Sequence, residues 1–556
     1  MAARARSGVG LTEPTVARLV GERLRAAGVR YVTGHPGGEV VDLIEGFRQA
    51  GLEFVLTRHE TSAGFMAEVM ASASGIPGVC IATLGPGATN LVTGVAQAYL
   101  DRAPLIAFTG QLPTDRLETT THQKLDLRAL FAPVTKWQAR LVPSNAADVI
   151  DRALRESLRP RRGPVYIEVP SNVPRQAAAG AHREQLDALR QTVAPSRNVS
   201  LGENDASAAV DRIAAGRAAQ LLRDSMRPVI LVGMDANDDG TAGALRILAE
   251  EWGVPVMVSP KAKGVFREDH PLFLGTIEML GTARLYEYID GSDLVLMIGF
   301  DPVEFDRDWA ATANVIHLGP LPNDDRIYHS AAEIVGPVRE GIDVLRSLAG
   351  KPAPKRASKE VRVFRESFRA FVTPKRDRLT SQQVLAELRA ALPEDALVTC
   401  DVGYNKAVTG QCLPMYQPKT FFMSNGLSSM GYGLAAALGL KLLHRDREVA
   451  CVLGDGGFAM LMAELETAVR EKLGVTVIVF ADDALSQIKA NQERKGYPVT
   501  GTTFGGVDYI ALAKGFGITG HDVTTVAECR QALRERSTDE PTLIAARVDP
   551  SAYQLG

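Results

Sequence analysis

The sequence predicts an α/β protein made of three doubly wound parallel-sheet domains. Three observations predict it. Apolar runs of four to eight residues recur along the 556-residue chain and alternate with longer helical patterns. The runs are apolar at consecutive positions, as strands covered on both faces of a parallel sheet must be. Two stretches without such runs, 175–205 and 349–378, divide the chain at 10–176, 205–349 and 378–550, and each part has the size of one α/β domain.

In order, the first segment carries strands at Phe54–Thr57, Val79–Thr83, Leu105–Thr109 and Val165–Val169, with a helical pattern over Asn90–Leu100. The middle segment carries Val229–Val232 and Leu294–Ile298, followed by Gly233 and Gly299. The second dividing stretch has helical periodicity around Val361–Phe371. In the third segment, strand Val449–Leu453 runs into Gly454-Asp455-Gly456-Gly457. A single helix is expected next, with Leu461, Leu465, Ala468 and Val469 on one stripe, and then strand Val475–Phe480. The outer segments echo each other. A helical pattern leads into a strand in both, and both close on a similar strand, Gly163–Pro170 and Pro541–Pro550.

The formal net charge is −3, with 46% apolar and 23% charged residues. That balance excludes a protein that neutralises a nucleic-acid backbone along its length, and no run of apolar residues is long enough for a membrane span. Met1–Gly10 carries Arg4 and Arg6 without an apolar stretch behind them, so no secretory signal is expected. Cys80, Cys400, Cys412, Cys451 and Cys529 show no paired spacing. They read as free thiols of a cytoplasmic protein.

The most informative stretch is Val449 to Asp483. A strand–helix–strand unit has a right-handed crossover and parallel strands, so both carboxyl ends lie on one edge. Asp455 and Asp482 then meet there although 27 positions separate them. Two carboxylates suit Mg²⁺, which takes one or two of them together with substrate phosphate oxygens. The glycines let backbone N–H groups approach an anion. The site therefore reads as Mg²⁺ between protein and a diphosphate. A dinucleotide reading is weaker, because no G-x-G-x-x-G opens a helix here.

At these residues the chain resembles the thiamine-diphosphate enzymes of the acetolactate synthase group. Their motif, Gly-Asp-Gly followed after about 24 residues by Asn-Asn, is similar to Gly454-Asp455-Gly456 followed by Ala481-Asp482. The likeness extends over nearly the whole chain. It includes Gly34-His35-Pro36-Gly37-Gly38, Arg58-His59-Glu60, Leu84–Asn90, Thr109-Gly110-Gln111, Asp401-Val402-Gly403 and Gly426–Gly431.

The resemblance implies the pyrimidine-binding, central and diphosphate-binding domains of that fold. It implies thiamine diphosphate and Mg²⁺ as cofactors, with Asp455, Asp482 and the backbone carbonyl of Ala484 as metal ligands. Glu60 would be the acid facing N1′ of the pyrimidine ring, Met430 the apolar wedge under the bent cofactor, and the backbone at Ser428 and Met430 its pyrimidine contacts. Gly403, Tyr404, Asn405, Gly456 and Gly457 would line the diphosphate. Gln123 and His122 fall on the catalytic loop, and His35, Gln111, His122 and Gln487 are candidate substrate contacts. Without the resemblance Glu60 reads as a helix N-terminal acid, and Met430 as core.

The implied activity is decarboxylation of a small 2-oxo acid, pyruvate being the expected donor, and transfer of the two-carbon unit to a carbonyl acceptor. The implied assembly is a homodimer or homotetramer whose sites are shared between subunits, with no nucleic-acid or membrane partner. Some positions depart from the group. Asn491 stands for its pocket Trp, His122 for its loop Phe, Ser171 for a Lys, and the flavin-contacting Arg falls near Asp301. Whether the central domain holds FAD, another nucleotide or nothing is therefore open. Stretches such as Thr121–Asp126 and Phe504–Asp508 also resemble carboxyethylarginine synthase, which leaves a specialised-metabolism enzyme as the alternative. A catalytically silent homologue is the third reading, against which the retained Glu60 and Asp455 speak.

Overall fold

The computed structural model describes residues 13–178, 210–324, 327–350, 358–374 and 376–553. The N-terminal decapeptide and most of the first dividing stretch lie outside the described residues, as do 351–357 and 375 of the second. The described part forms two compact units, one on each side of residue 200.

The first unit holds one six-stranded sheet. Its strands are β1 (Tyr31–His35), β2 (Glu53–Leu56), β3 (Gly78–Ala82), β4 (Leu105–Gln111), β5 (Trp137–Arg140) and β6 (Pro164–Pro170). They pair in the order β2-β1-β3-β4-β6-β5, all parallel. The apolar runs come out as the central strands, with every residue of β3, β4 and β6 buried. The edge strands β2 and β5 are half-exposed; the run read at Phe54–Thr57 is β2, one residue out of step, while β5 has no continuous run to betray it.

The second unit holds two such sheets. One is built from β7 (Pro228–Val232), β8 (Val256–Val258), β9 (Phe273–Thr276), β10 (Leu294–Ile298), β11 (Asn314–Gly319) and β12 (Ser330–Val335), in the order β12-β11-β10-β7-β8-β9. The other is built from β13 (Leu397–Cys400), β14 (Phe421–Met423), β15 (Val449–Gly454), β16 (Val475–Ala481), β17 (Thr519–Val523) and β18 (Thr542–Arg547), in the order β14-β13-β15-β16-β18-β17. Counting from each sheet's first strand, the first and third sheets share one order. The expected echo between the outer segments is thus a common topology.

The second and third sheets share a hydrophobic core. Val229, Leu231 and Met297 of the middle sheet belong to the same buried cluster as Val398, Met423 and Ile478 of the third. The helix Ser358–Val372 contributes Val361, Phe368 and Val372 to it, which is the periodicity read from the sequence.

One expectation is corrected. The helix after Gly454 is not continuous: it runs Asp455–Leu461, turns at Met462-Ala463, and resumes as Glu464–Arg470. Leu461, Leu465 and Ala468 are buried as expected, but the turn rotates Val469 outward, where it is exposed.

Candidate active site

Asp455 follows β15 and Asp482 follows β16, neighbouring strands paired in register from Val449–Val475 to Gly454–Phe480. Parallel pairing brings both carboxyl ends to one edge. There Asp455 Oδ2 accepts the backbone N–H groups of Asp482 (3.0 Å) and Asp483 (2.7 Å), and Oδ1 accepts its neighbour Gly456 N–H (2.8 Å). Burial pushes the Asp455 carboxyl up to about 6, and the charge of Asp482 adds to the effect. The Asp482 carboxyl is raised as well, chiefly by burial. Two neighbouring acids, one buried and one half-buried, each held above the usual carboxylate range, form a donor set that suits a cation.

The acids line a cavity of about 170 Å³ together with Gly403, Tyr404, Asn405, Met430, Gly456, Gly457, Ala484 and Gln487. The glycines have steric reasons. A Cβ on Gly457 would lie 2.0 Å from Asp401 Oδ2, and one on Gly456 would lie 2.8 Å from Leu485 Cδ2. Gly403 caps the helix Tyr404–Cys412 at φ +126°. That helix therefore opens at the cavity with its N-terminal amides, and an anion is favoured there. Asn405 is held by donating from Nδ2 to Asp401 O (2.7 Å).

Ser428 does not line the cavity. It is exposed, at φ +53°, and its Oγ accepts from Lys406 Nζ (3.1 Å) and donates to Asn425 O. Ala484 lines the cavity and pairs with Thr503 in an isolated bridge.

In the first unit, Glu60 opens the helix Glu60–Ser74 just after β2, and His59 caps that helix. Its side chain is buried, and Oε2 accepts from Asn90 Nδ2 (3.0 Å). Phe65 and Met66 are fully buried on the same helix. A Cβ on Gly87, next to the start of the helix Pro86–Leu100, would come within 3.4 Å of Glu60 Oε1. Gln123, at φ +54°, packs its side chain over Gly85, so the loop of His122 and Gln123 reaches the glycine turn beside Glu60. Both loop residues are exposed.

His35 Nδ1 pairs with Thr57 O (2.8 Å). Gln111 is turned inward. Its Nε2 donates to Glu168 (3.1 Å), itself paired with Arg140, and its Oε1 accepts Leu112 N–H (2.8 Å).

Four residues of these sites were not singled out for a role from the sequence. They are Asn90, which holds Glu60; Asp401, which accepts Gly431 N–H (3.0 Å) and so fixes the turn after Met430; Leu485, which lies over Gly456; and Tyr553, which donates to Asp482. Asn90 and Asp401 stand in stretches quoted for the resemblance, which was the available signal. Tyr553 had none.

The middle sheet has the strand order of a dinucleotide-binding fold, with its switch point between β7 and β10. A buried acid sits there. Glu304 accepts from Met234 N–H (2.9 Å), Asp301 N–H (3.0 Å) and Ser259 Oγ, and burial pushes its carboxyl up to about 8. The amides of Met234 and Asp301 are thus committed to an internal carboxyl group. The edge presents an acid where a dinucleotide's phosphates need donors, so these residues do not fit a flavin dinucleotide.

Among the described residues, no helix is long and apolar enough to cross a membrane. The cysteines are free, and all but the half-buried Cys412 are buried.

Comparison with known proteins finds three family matches. They are "Thiamine pyrophosphate enzyme, N-terminal TPP binding domain" over residues 14–130, the "central domain" over 215–348, and the "C-terminal TPP binding domain" over 401–546. Among curated relatives, "Probable acetolactate synthase large subunit" of Methanococcus aeolicus is 31% identical over 95% of this chain and 91% of its own length. "Acetolactate synthase" of Bacillus subtilis (strain 168) is 30% identical over 96% and 93%, and that of Arthrospira platensis 33% over 90% and 88%.

Proposed function

This chain belongs to the thiamine pyrophosphate enzyme family, in its acetolactate synthase group, and on that premise we propose that it is a Mg²⁺-dependent carboligase. It decarboxylates a small 2-oxo acid, pyruvate by preference, and passes the two-carbon unit to a second carbonyl compound. The observation that carries the reading is the meeting of Asp455 and Asp482 over a glycine-lined cavity at one sheet edge.

Asp455 and Asp482, with Ala484 beside them, would hold the cation, whose charge would balance that of the diphosphate. Gly403, Tyr404, Asn405, Gly456 and Gly457 form the wall against which the diphosphate lies. Met430 lines the same cavity, where its flexible thioether side chain can support a bent ligand. When bound, thiamine diphosphate supplies the nucleophilic carbon that takes up the 2-oxo acid and permits loss of CO₂.

Glu60 holds a proton at N1′ of the pyrimidine ring, and Asn90 keeps its carboxylate aimed. His122 and Gln123, on a loop open to solvent, meet the substrate, and Gln487 contacts it from the cavity side. Gln111, buried and bonded through both amide atoms, supports the first sheet's edge from within, and His35, anchored through Nδ1 to Thr57 O, contacts the substrate. No step is assigned to a flavin.

Glu60 and Asp455 lie in different units of the chain, and we take one subunit to supply the first and another to supply the second, in a homodimer or homotetramer. The exposed apolar side chains Met460, Ile488, Tyr497 and Phe504, on and near the helices around the cavity, support a subunit contact on that side. The test is CO₂ release from pyruvate with thiamine diphosphate and Mg²⁺, with and without carbonyl acceptors. Turnover should require both cofactors and yield a coupled product when an acceptor is present. No turnover across a panel of 2-oxo acids, despite cofactor uptake, would sink the proposal.

A further inference from the structure

Asp482 stands where the family motif carries an amide, and its carboxylate is gripped. Oδ2 accepts two hydroxyl groups, Ser486 Oγ at 2.7 Å and Tyr553 OH at 2.6 Å, and the carboxylate also accepts the backbone N–H of Ala484. Ser486 is one helical turn away. Tyr553 is 71 residues away, beyond the last strand.

Tyr553 is carried to this place by a short turn, Pro550–Ala552. Asp549 caps that turn by accepting Ser551 N–H (3.1 Å), and its own N–H is tied to Leu379 O (2.8 Å). The Tyr553 ring then stacks on Tyr404, with centroids 3.8 Å apart and planes 23° from parallel, and lines the cavity. Tyr404 is the first residue of the helix whose N-terminus opens there.

Resting on the cation site proposed above, we infer that Tyr553 is a positioning residue that fixes Asp482 as a ligand of the cation. A carboxylate brings a full negative charge close to Asp455, where an amide would not. Hydroxyl bonds of this length to an ionised oxygen are charge-assisted, so they both anchor the group and spread its charge. With both hydroxyls on Oδ2, the carboxylate can turn only so far, and Oδ1 is the oxygen that neither hydroxyl engages. The same ring, through Tyr404, ties the ligand to the wall that receives the diphosphate. Groups that orient a metal ligand in this manner typically set metal affinity by about 10- to 100-fold.

The test is Tyr553→Phe in the full-length chain, which removes the hydroxyl and keeps the stacked ring. Thiamine diphosphate uptake is followed by calorimetry while Mg²⁺ is titrated. The Mg²⁺ concentration for half-maximal uptake should rise about tenfold or more, while affinity for the cofactor at saturating Mg²⁺ holds. Ser486→Ala, which removes the other hydroxyl from the same oxygen, should shift the curve in the same direction. In an Asp482→Asn background, Tyr553→Phe should shift it less, because an amide draws no charge-assisted bond.

A merely structural tyrosine would lower the melting temperature and leave the Mg²⁺ curve in place. Superimposed Mg²⁺ curves for wild type and Tyr553→Phe, both cation-dependent, overturn this inference alone. Equal uptake by wild type with and without a chelator overturns it together with the cation site beneath it.

Discussion

Lowering the pH should strip the cation from this enzyme before it harms the fold. The group concerned is Asp455, whose carboxyl is raised from 3.8 to about 6 in the bare site by burial and by the charge of Asp482. A folded-state value above the unfolded one means that the bare fold binds this proton more tightly than the unfolded chain does. This group therefore favours folding at acid pH, and the advantage is lost as pH rises through about 6. Holding the carboxyl charged at neutral pH costs the bare fold about 3 kcal/mol, taking about 1.4 kcal/mol per tenfold change in the proton equilibrium. A divalent cation removes that cost, because its ligands must be ionised to bind it.

The expected result has two parts. Mg²⁺ affinity, measured by calorimetry at saturating thiamine diphosphate, should fall about tenfold per pH unit below about pH 6, and more steeply where the proton on Asp482 joins in. The rise in melting temperature on adding Mg²⁺ and cofactor should be larger at about pH 7 than at about pH 5. Asp455→Asn should abolish both effects. The same Mg²⁺ affinity at both pH values in the wild type would refute the reasoning, since it would mean that no proton competes with the cation.

Three further predictions concern the rest of the site. Glu60→Gln should reduce kcat for CO₂ release about a hundredfold or more while leaving cofactor uptake measurable by calorimetry; unchanged turnover would remove Glu60 from the proton relay. Mixing inactive Glu60→Gln and Asp455→Asn chains through dissociation and reassembly should restore about a quarter of wild-type turnover, because half of randomly paired dimers carry one intact site. No recovery after verified subunit exchange would place both residues in one subunit's site. The purified protein should show no flavin absorbance, because Glu304 occupies the middle sheet's switch point; a stoichiometric flavin would require that carboxyl group to move.

The parts of the site legible in the sequence were those set by strand topology. Asp455 and Asp482 follow adjacent strands of one crossover unit, and parallel geometry forces such ends together. Central strands such as β3, β10 and β15 were legible because they are apolar nearly throughout, and β2 was read at Phe54–Thr57; β5, whose Gln138 and Arg140 break any apolar run, was not. The broken helix after Gly454 was illegible because Leu461, Leu465 and Ala468 keep helical spacing across the turn at Met462-Ala463. Partners set by tertiary contact left no local trace. Asn90 meets Glu60 across 30 positions, Glu168 meets Gln111 across 57, and Tyr553 reaches Asp482 across 71. Glycines, by contrast, were informative without their neighbours: Gly457 marks the place where Asp401 leaves no room for a methyl group.

The apolar interior common to the second and third sheets makes the middle of the chain a buttress. Val229, Leu231 and Met297 do not line the cavity, yet they belong to one buried cluster with Tyr404 and Phe480, which do. In a mutational scan scored by turnover, truncations at such positions would register as losses of catalysis. Their origin would be loosened architecture, and excess cofactor, which favours the folded form, would partly reverse them.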